Sequence, residues 1–441
     1  MSQVVIEMMQ TAASGVVATA EQSATEIEAG RLVTMVPMRR QIDATTRRLM
    51  ADPAAVTVDG KSTVARAVNE FAFLAALGAT NGDSTHPKII WAFPPPHAVA
   101  GGDVPGSRWG IDNPDHVYRF IPIDGASSYE LVLRPTQPMP TQFSVLLYQS
   151  FLGEDGKEEA LDTPIAGQRD RDLKPDVDGS YRITIDSTPA NGRINHIQSN
   201  ASARILWIRN TLASWDQQDP MPAMIRRIGG PEPSKPTSEL ALAERAAVIL
   251  KAASEAILRM KNGELHGPLA GFSNKGQSNV VVKPILRGGA WGFMAPGNFK
   301  LADDEALLVT VNPLGAQYLG FQLSDAWTLS LDVRYLSSMN GRHAHANPDG
   351  SYTYVISIRD PGVLNWLDTG GLHEGLILIR WQVLPENIKS LDGAVREVKL
   401  VQFADLGSVL PAGMRKVTSA ERKRQVDERV DTYARRYSAT H

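Results

Sequence analysis

Two segments of this 441-residue chain are written to one plan. Asp178 to Arg209 reads DGSYRITIDSTPANGRINHIQSNASARILWIR, and Asp349 to Arg380 reads DGSYTYVISIRDPGVLNWLDTGGLHEGLILIR. Both open on Asp-Gly-Ser-Tyr, both close on Ile-Arg, and in each the arginine follows the aspartate by 31 positions. Each copy holds two runs in which apolar and polar residues alternate around a turn containing proline. A period of two places successive side chains on opposite faces, so these runs predict strands with one buried face. A repeated pair of such strands points to a repeated β-unit.

The rest of the chain fits around that repeat. Residues 1–80 read as helical, with Ser62 placed to cap a helix carrying Val64, Val68, Phe71, Leu74 and Ala75 on one face and stopping near Gly78. Asn81-Gly82-Asp83 breaks the pattern, and Pro94-Pro95-Pro96 marks a stiff connection. From Tyr118 the alternation begins: Tyr129, Leu131 and Leu133, then Phe143, Val145 and Leu147. Gly229 to Pro236 is a linker. Ser238 then caps a helix ending at Gly263, whose small apolar face (Leu240, Ala243, Ala247, Leu250, Ala253, Ile257) predicts packing against a sheet. A second alternating region runs from Val280 to Val401. Thr418-x-x-Glu421 is a capping box opening a last helix. Val426, Val430, Tyr433 and Tyr437 line one face of that helix; its arginines and lysines read as a solvated face, or as one for an acidic partner.

The expected class is therefore α+β, mostly β, with two duplicated antiparallel β-sandwich or jelly-roll regions and flanking and linking helices. The expected boundaries are a helical region over 1–85, a first sandwich over 86–230, a linker and helix over 231–265, a second sandwich over 266–410 and a helix over 411–441.

Composition bounds function from outside. A formal charge of −3 offers no general attraction to nucleic acid or to an anionic membrane. Zero cysteines exclude disulfides, thiol catalysis and thiolate zinc sites, and fit a reducing cytoplasm. No basic segment followed by an unbroken apolar run opens the chain, and no run approaches a membrane span, so a cytoplasmic protein is expected. Walker, Rossmann, Gly-x-Ser-x-Gly and His-Glu-x-x-His patterns are all absent, which leaves no support for nucleotide, flavin or serine-hydrolase chemistry and no cofactor is expected. The terminal helices offer a surface through which copies could associate.

The second copy has a recognisable ending. Asp-Gly-Ser, an alternating strand, Asn365-Trp366-Leu367 and a closing strand that ends Arg380-Trp381 resemble the end of the bacterial family known as domain of unknown function 1214. That family's turn continues with proline, where this chain has Asp368. The first copy has Asn195-His196-Ile197 at the corresponding place, and Asn113-Pro114-Asp115…Tyr118 is similar to the family's approach to its first strand. The resemblance spans about a third of the chain. It implies a β-sandwich or jelly-roll fold and no established activity.

Four groups of residues could carry chemistry. Arg209 and Arg380 share strand parity with apolar neighbours, so each points to a face where a guanidinium needs a partner. The alternatives are a fold-locking salt bridge in both copies, or a clamp for a carboxylate or phenolate. In Arg342-His343-Ala344-His345, both histidines fall on one face if the segment is extended. That leaves open a metal site with His373 or Asp360, acid–base histidines in a cleft, or a solvated loop. The loop from Asp360 to His373 offers His373 as a general base oriented by Asp360 or Asp368, Trp366 as an apolar wall, and Asn365 and Asp368 as binding groups. The alternative is that Trp366 plugs the end of the sandwich and the aspartates cap turns. Trp109, Asp112, Asn113, Asp115, His116 and Tyr118 form a parallel cluster, which could share one pocket with the second half if the halves face one another.

Two functions follow from these groups. One is a cofactor-independent lyase or hydrolase acting by acid–base chemistry on a hydrophobic or aromatic small molecule, such as a lignin-derived, steroid or terpenoid compound. His373 or His343 would serve as base, Arg380 or Arg209 would stabilise negative charge, and Trp366 and Trp109 would form walls. The other is a non-catalytic sandwich that binds carbohydrate or protein. Exposed tryptophans on a flat face would favour the second, and a cleft holding histidine and arginine the first.

Overall fold

The computed structural model describes residues 15–100, 102–156, 164–232, 236–264, 276–286, 292–388 and 390–438. Three helices open it: α1 (Ala20–Val33), α2 (Val36–Met50) and α3 (Val58–Thr80). The third begins four residues before the expected cap. Thr57, not Ser62, accepts the hydrogen bond from Gly60 N–H at 3.1 Å, while the Ser62 hydroxyl bonds back to the Asp59 carbonyl inside the helix.

Nine strands follow. β1 (Ile90–Trp91), the hairpin β2 (His97–Val99) and β3 (Gly102–Val104), β4 (His116–Pro122), β5 (Ser128–Leu133), β6 (Gln142–Tyr148), β7 (Ala166–Arg169), β8 (Tyr181–Asp186), β9 (His196–Gln198), β10 (Ile205–Thr211) and β11 (Ala223–Gly229) complete the first half once the hairpin is set aside. Helix α4 (Glu239–Lys261) leads to nine more: β12 (Ile285–Leu286), β13 (Phe293–Lys300), β14 (Glu305–Val311), β15 (Tyr318–Ser324), β16 (Ser338–Asn340), β17 (Tyr352–Ser357), β18 (Trp366–Asp368), β19 (Glu374–Gln382) and β20 (Val395–Gln402). The short α5 (Leu406–Val409) and the long α6 (Ser419–Arg435) close the fold.

The sheets repeat strand for strand. The first half pairs β1-β4-β10-β6-β7 and β11-β5-β8-β9; the second pairs β12-β13-β19-β15-β16 and β20-β14-β17-β18. Numbered within each half, both give the orders 1-2-8-4-5 and 9-3-6-7. Pairing is antiparallel except β8 with β9 and β17 with β18, which are parallel in both halves. The shared Asp-Gly-Ser explains part of this. The Asp178 and Asp349 carboxylates each accept the backbone N–H and the hydroxyl of the serine two residues on, and the intervening Gly179 and Gly350 take φ of 80° and 81°. That left-handed turn favours glycine and sets the start of β8 and β17.

Each sandwich has its own core. Ile121, Leu131, Val145, Ile183 and Ile208 are wholly buried or nearly so in the first, and Leu307, Phe321, Tyr354, Ile377 and Trp381 in the second. The outer faces of the two five-stranded sheets turn inward on the molecule. There Phe120 and Ile205 from one half and Met294 and Leu378 from the other join α3 and α4 in a third core. Helix α4 therefore lies mainly against α2 and α3 rather than flat on a sheet. Its alanine-rich face suits close helix–helix approach equally well.

The halves differ on their other outer faces. Phe403, Leu406, Val409, Leu410 and Met414 cover the second four-stranded sheet, packing on Ala306, Leu308 and Val355. The matching face of the first is polar, with Glu130 bridging Arg182 and Arg226. Among the described residues, no helix is long and apolar enough to cross a membrane.

Candidate functional site in the groove beneath the last helix

The Asp360–His373 loop contains β18, the edge strand of the second four-stranded sheet. Trp366 lies in β18 with its ring buried, its indole N–H donates to the Ser357 carbonyl at 3.1 Å, and the Arg422 guanidinium sits 5.0 Å from its ring centre. Asn365 is spent on the backbone of His345 and Thr353. Asp360 accepts from Arg422 at 2.9 Å. Asp368 accepts the Gly370 N–H at 2.8 Å, and burial pushes its carboxyl up to about 6. His373 is half exposed and pairs with Asp303 at 3.1 Å and Asp59 at 3.4 Å, so neither Asp360 nor Asp368 orients it. The aspartates cap turns, but Trp366 plugs no sandwich end: paired with Val355 it faces the outer layer, while Leu367 enters the core, and neither Asp360 nor Asp368 supports His373 as a base.

The parallel cluster lies where the halves meet. Asp115 Oδ1 accepts from Trp215 Nε1 at 2.8 Å and Asn340 Nδ2 at 3.0 Å, and Asp115 Oδ2 accepts from Tyr318 Oη at 2.7 Å. Asn113 Nδ2 donates to Tyr318 Oη at 2.7 Å and contacts His116 Nε2 at 3.1 Å, and His116 Nδ1 lies 2.9 Å from Tyr118 Oη. Burial raises the Tyr318 hydroxyl well above its ordinary value and Asp115 adds to this, so it stays protonated and donates. Asp112, beside Arg108 and bonded by Ser330, is pushed up to about 6 by burial.

Both repeated arginines face this junction from equivalent rows of the two sheets. Arg209 lies between Tyr118 and Ser144, with its guanidinium 5.0 Å from the Tyr118 ring centre. Arg380 bonds the Gln322 side chain and donates to the Ile111 carbonyl of the first half at 2.7 Å. The partners that hold Arg380 are thus an amide and a carbonyl, and it ties the halves together. Trp109, half-buried, donates to the Ala253 carbonyl of α4 at 3.2 Å. The halves do face one another, and a network of buried, bonded polar groups fills the junction. Such networks give a core rigidity and a unique register.

An open site lies on the far side of that network. A groove of about 580 Å³ runs between α6, the β16 edge and the Trp215 loop. From α6 it receives Glu421, Arg424, Gln425, Glu428, Arg429 and Thr432, the i, i+3, i+4 spacing of one helix face. Leu336, Met339, Leu364 and Val417 give it apolar walls. Trp215, Asp216 and His343 also line it, Trp215 buried and the other two exposed. The segment holding His343 is a turn after β16 rather than a strand, so His343 and His345 do not present one face to a metal. Among the described residues no cluster of three or more histidine, aspartate or glutamate side chains could hold one.

His343 is the predicted residue that the groove displays. Its ring is accessible from the groove, stands edge-on to Trp215 at 6.0 Å, and makes no hydrogen bond among the described residues. Burial by the surrounding walls lowers its pKa against the pull of Asp115 and Asp216, with Arg429 adding to the lowering. The imidazole is therefore neutral at pH 7, with a lone pair available. Arg429 cannot serve as a mobile partner: it donates to the Val333 and Ser338 carbonyls and to the Ser338 hydroxyl, and lies 4.7 Å from the Trp215 ring centre. Sequence reasoning missed Trp215, Asp216 and the α6 side chains. The helical spacing from Glu421 to Thr432 was readable, but nothing local marked that face as covered by another element.

No protein-family model matches the chain, and no curated protein does. Among solved structures, the fold is that of an uncharacterized protein from Burkholderia cenocepacia: the TM-score is 0.68 at 22% identity, covering 88% of this chain and all of that one. The VPA0106 protein from Vibrio parahaemolyticus matches over 66% of this chain and 90% of its own at 13% identity, with a TM-score of 0.39. The first likeness shows a shared architecture of two sandwiches and helices, and nothing about activity.

Proposed function

We propose that the chain is an enzyme acting on a hydrophobic or aromatic small molecule by acid–base chemistry in the groove beneath α6, with His343 as the proton acceptor. The observation that carries this reading is an imidazole with no hydrogen-bond partner among the described residues, lining a groove large enough for a drug-sized ligand. Trp215 holds the ring edge-on, and Leu336, Met339, Leu364 and Val417 supply the apolar surface a hydrophobic substrate needs. Lyase or hydrolase chemistry suits a base of this kind. The carbohydrate-binding alternative calls for exposed tryptophans. All seven in the described residues are buried or half-buried, which favours the catalytic reading.

The test screens aromatic, steroid and terpenoid compounds by thermal shift, then measures turnover of each binder with wild type and with His343→Gln. Loss of a general base costs about a hundredfold or more. The wild-type rate should fall on acidification with a midpoint below the ordinary histidine value of 6.5, because burial lowers this pKa. Turnover unchanged by His343→Gln, or binding with no turnover at all, would sink the proposal.

A further inference from the structure

The groove is polar in a directional way, and on the catalytic reading this specifies the ligand. Its order along α6 is fixed by contacts at both ends. At the helix start, the Arg415 carbonyl accepts from Leu364 N–H at 2.8 Å and the Val417 N–H donates to the Gly362 carbonyl at 2.9 Å, which places Arg415, Leu364 and Val417 beside Glu421. At the helix end, Trp215 packs edge-on against Tyr433 at 5.3 Å, which places Trp215, Asp216 and His343 beside Thr432.

Charge differs between these ends. At the start stand Arg415 and Arg424 against Glu421. The Glu421 carboxylate is already bonded by the Thr418 N–H and hydroxyl of the capping box, and only a long 3.9 Å contact joins it to Arg415. Arg424 forms no ion pair among the described residues, and the neighbouring Arg422 and Lys423 are neutralised by Asp360 and Asp427. That end carries surplus positive charge on two exposed guanidiniums. At the other end, Asp216 faces the neutral His343; Arg435 is paired with Asp219, Arg429 and Arg436 are bonded to protein carbonyls, and Arg342 is left there without an ion pair among the described residues. Glu428, between the two, makes no side-chain bond among the described residues.

We propose that the substrate is an elongated acid: an apolar body whose carboxylate docks on Arg415 and Arg424, with the reacting group at His343. Arg424 and Thr432 lie eight residues apart, so acid and reacting group are separated by about 12 Å at 1.5 Å of rise per residue. The planar guanidinium fork matches a carboxylate, and a charge-assisted bond of this kind discriminates strongly against a neutral isostere. The Glu428 carboxylate between the ends repels a second negative charge in the middle of the ligand.

The probes are a homologous series of ω-phenylalkanoates and the matching carboxamides, with Kd measured by calorimetry. Wild type should prefer acid to amide by about tenfold or more, most strongly at one intermediate chain length. Arg415→Ala with Arg424→Ala should bring that ratio close to one while amide affinity stays the same; both side chains are exposed, so folding should survive. His343→Gln should leave the ratio unchanged. An acid-to-amide ratio near one in wild type, or a preference surviving the double substitution, would overturn this assignment. Absence of turnover with the preference intact would instead count against the catalytic role of His343 alone.

Discussion

At the scale of single residues, the chain buries several charged side chains. His97 is the clearest. Its Nδ1 lies 2.8 Å from the Pro95 carbonyl and its Nε2 3.1 Å from Glu26 Oε2, and both side chains are wholly buried. Gln22 completes the set, donating to Glu26 at 2.6 Å and accepting the Trp91 N–H at 2.8 Å. Two oxygen acceptors on one imidazole call for protons on both nitrogens. Burial alone would lower the His97 pKa, but the Glu26 and Pro95 oxygens outweigh it and raise the value above 6.5. A raised histidine pKa contributes stability that is fully present below the unfolded value and is lost as pH rises through the folded one. Thermal melts of wild type and His97→Gln should therefore differ most below pH 6.5 and converge above it. A gap that widens with pH would show the pair to be neutral. None of this was legible locally, since Glu26 and His97 are 71 residues apart and nothing in either neighbourhood names the other.

At the scale of elements, α6 shows what periodicity conveys and what it omits. The capping box at Thr418 was readable and forms: Thr418 accepts the Glu421 N–H at 3.2 Å, and Glu421 accepts the Thr418 N–H at 2.8 Å. Thr418→Ala should cost about 1 kcal/mol, seen as faster hydrogen exchange in the first turn of α6. Unchanged exchange there would mean the backbone bonds of Arg415 with Leu364 and of Val417 with Gly362 hold that turn instead. The basic face was read as solvated, and part of it is. Yet Arg422, Arg429 and Arg436, spaced by seven, point inward. Arg422 holds Asp360 and the Val363 carbonyl, Arg429 holds Val333 and Ser338, and Arg436 holds the Pro114 carbonyl. Trp215 has Arg429 and Arg436 at 4.7 and 4.3 Å from its ring centre, so two cations use one indole. A heptad of arginines among other arginines carries no signal of its own. Only the polar surface opposite α6, rich in carbonyls and rings, distinguishes the inward set.

At the scale of the whole molecule, the duplication makes two sandwiches and the junction makes them one body. Asp115 is central to it, accepting three hydrogen bonds from Trp215, Asn340 and Tyr318. Asp115→Asn keeps the shape but turns an amide N–H₂ toward donors, leaving at least one buried group unsatisfied at about 1–3 kcal/mol. Calorimetry should show one transition in wild type, because α3 and α4 pack against both halves, and a lower, broader or split one in the variant. An unaltered single transition would mean the helices alone couple the halves.

Strand periodicity, the Asp-Gly-Ser turns and the helix caps are interactions between near neighbours. The sequence by itself therefore determined two copies of one antiparallel sandwich, their closing arginines and most helix positions. Which histidine meets an open groove was decided only by tertiary structure. His373 and His116 sit near carboxylates and aromatics in the sequence, and His343 in a run of turn formers. In the fold, Asp59 and Asp303 take the first, Asn113 and Tyr118 the third, and His343 is left facing the space beneath α6. The His116 partners are its sequence neighbours, but those of His373 come from 70 and 314 residues away, and no local pattern encodes that distance.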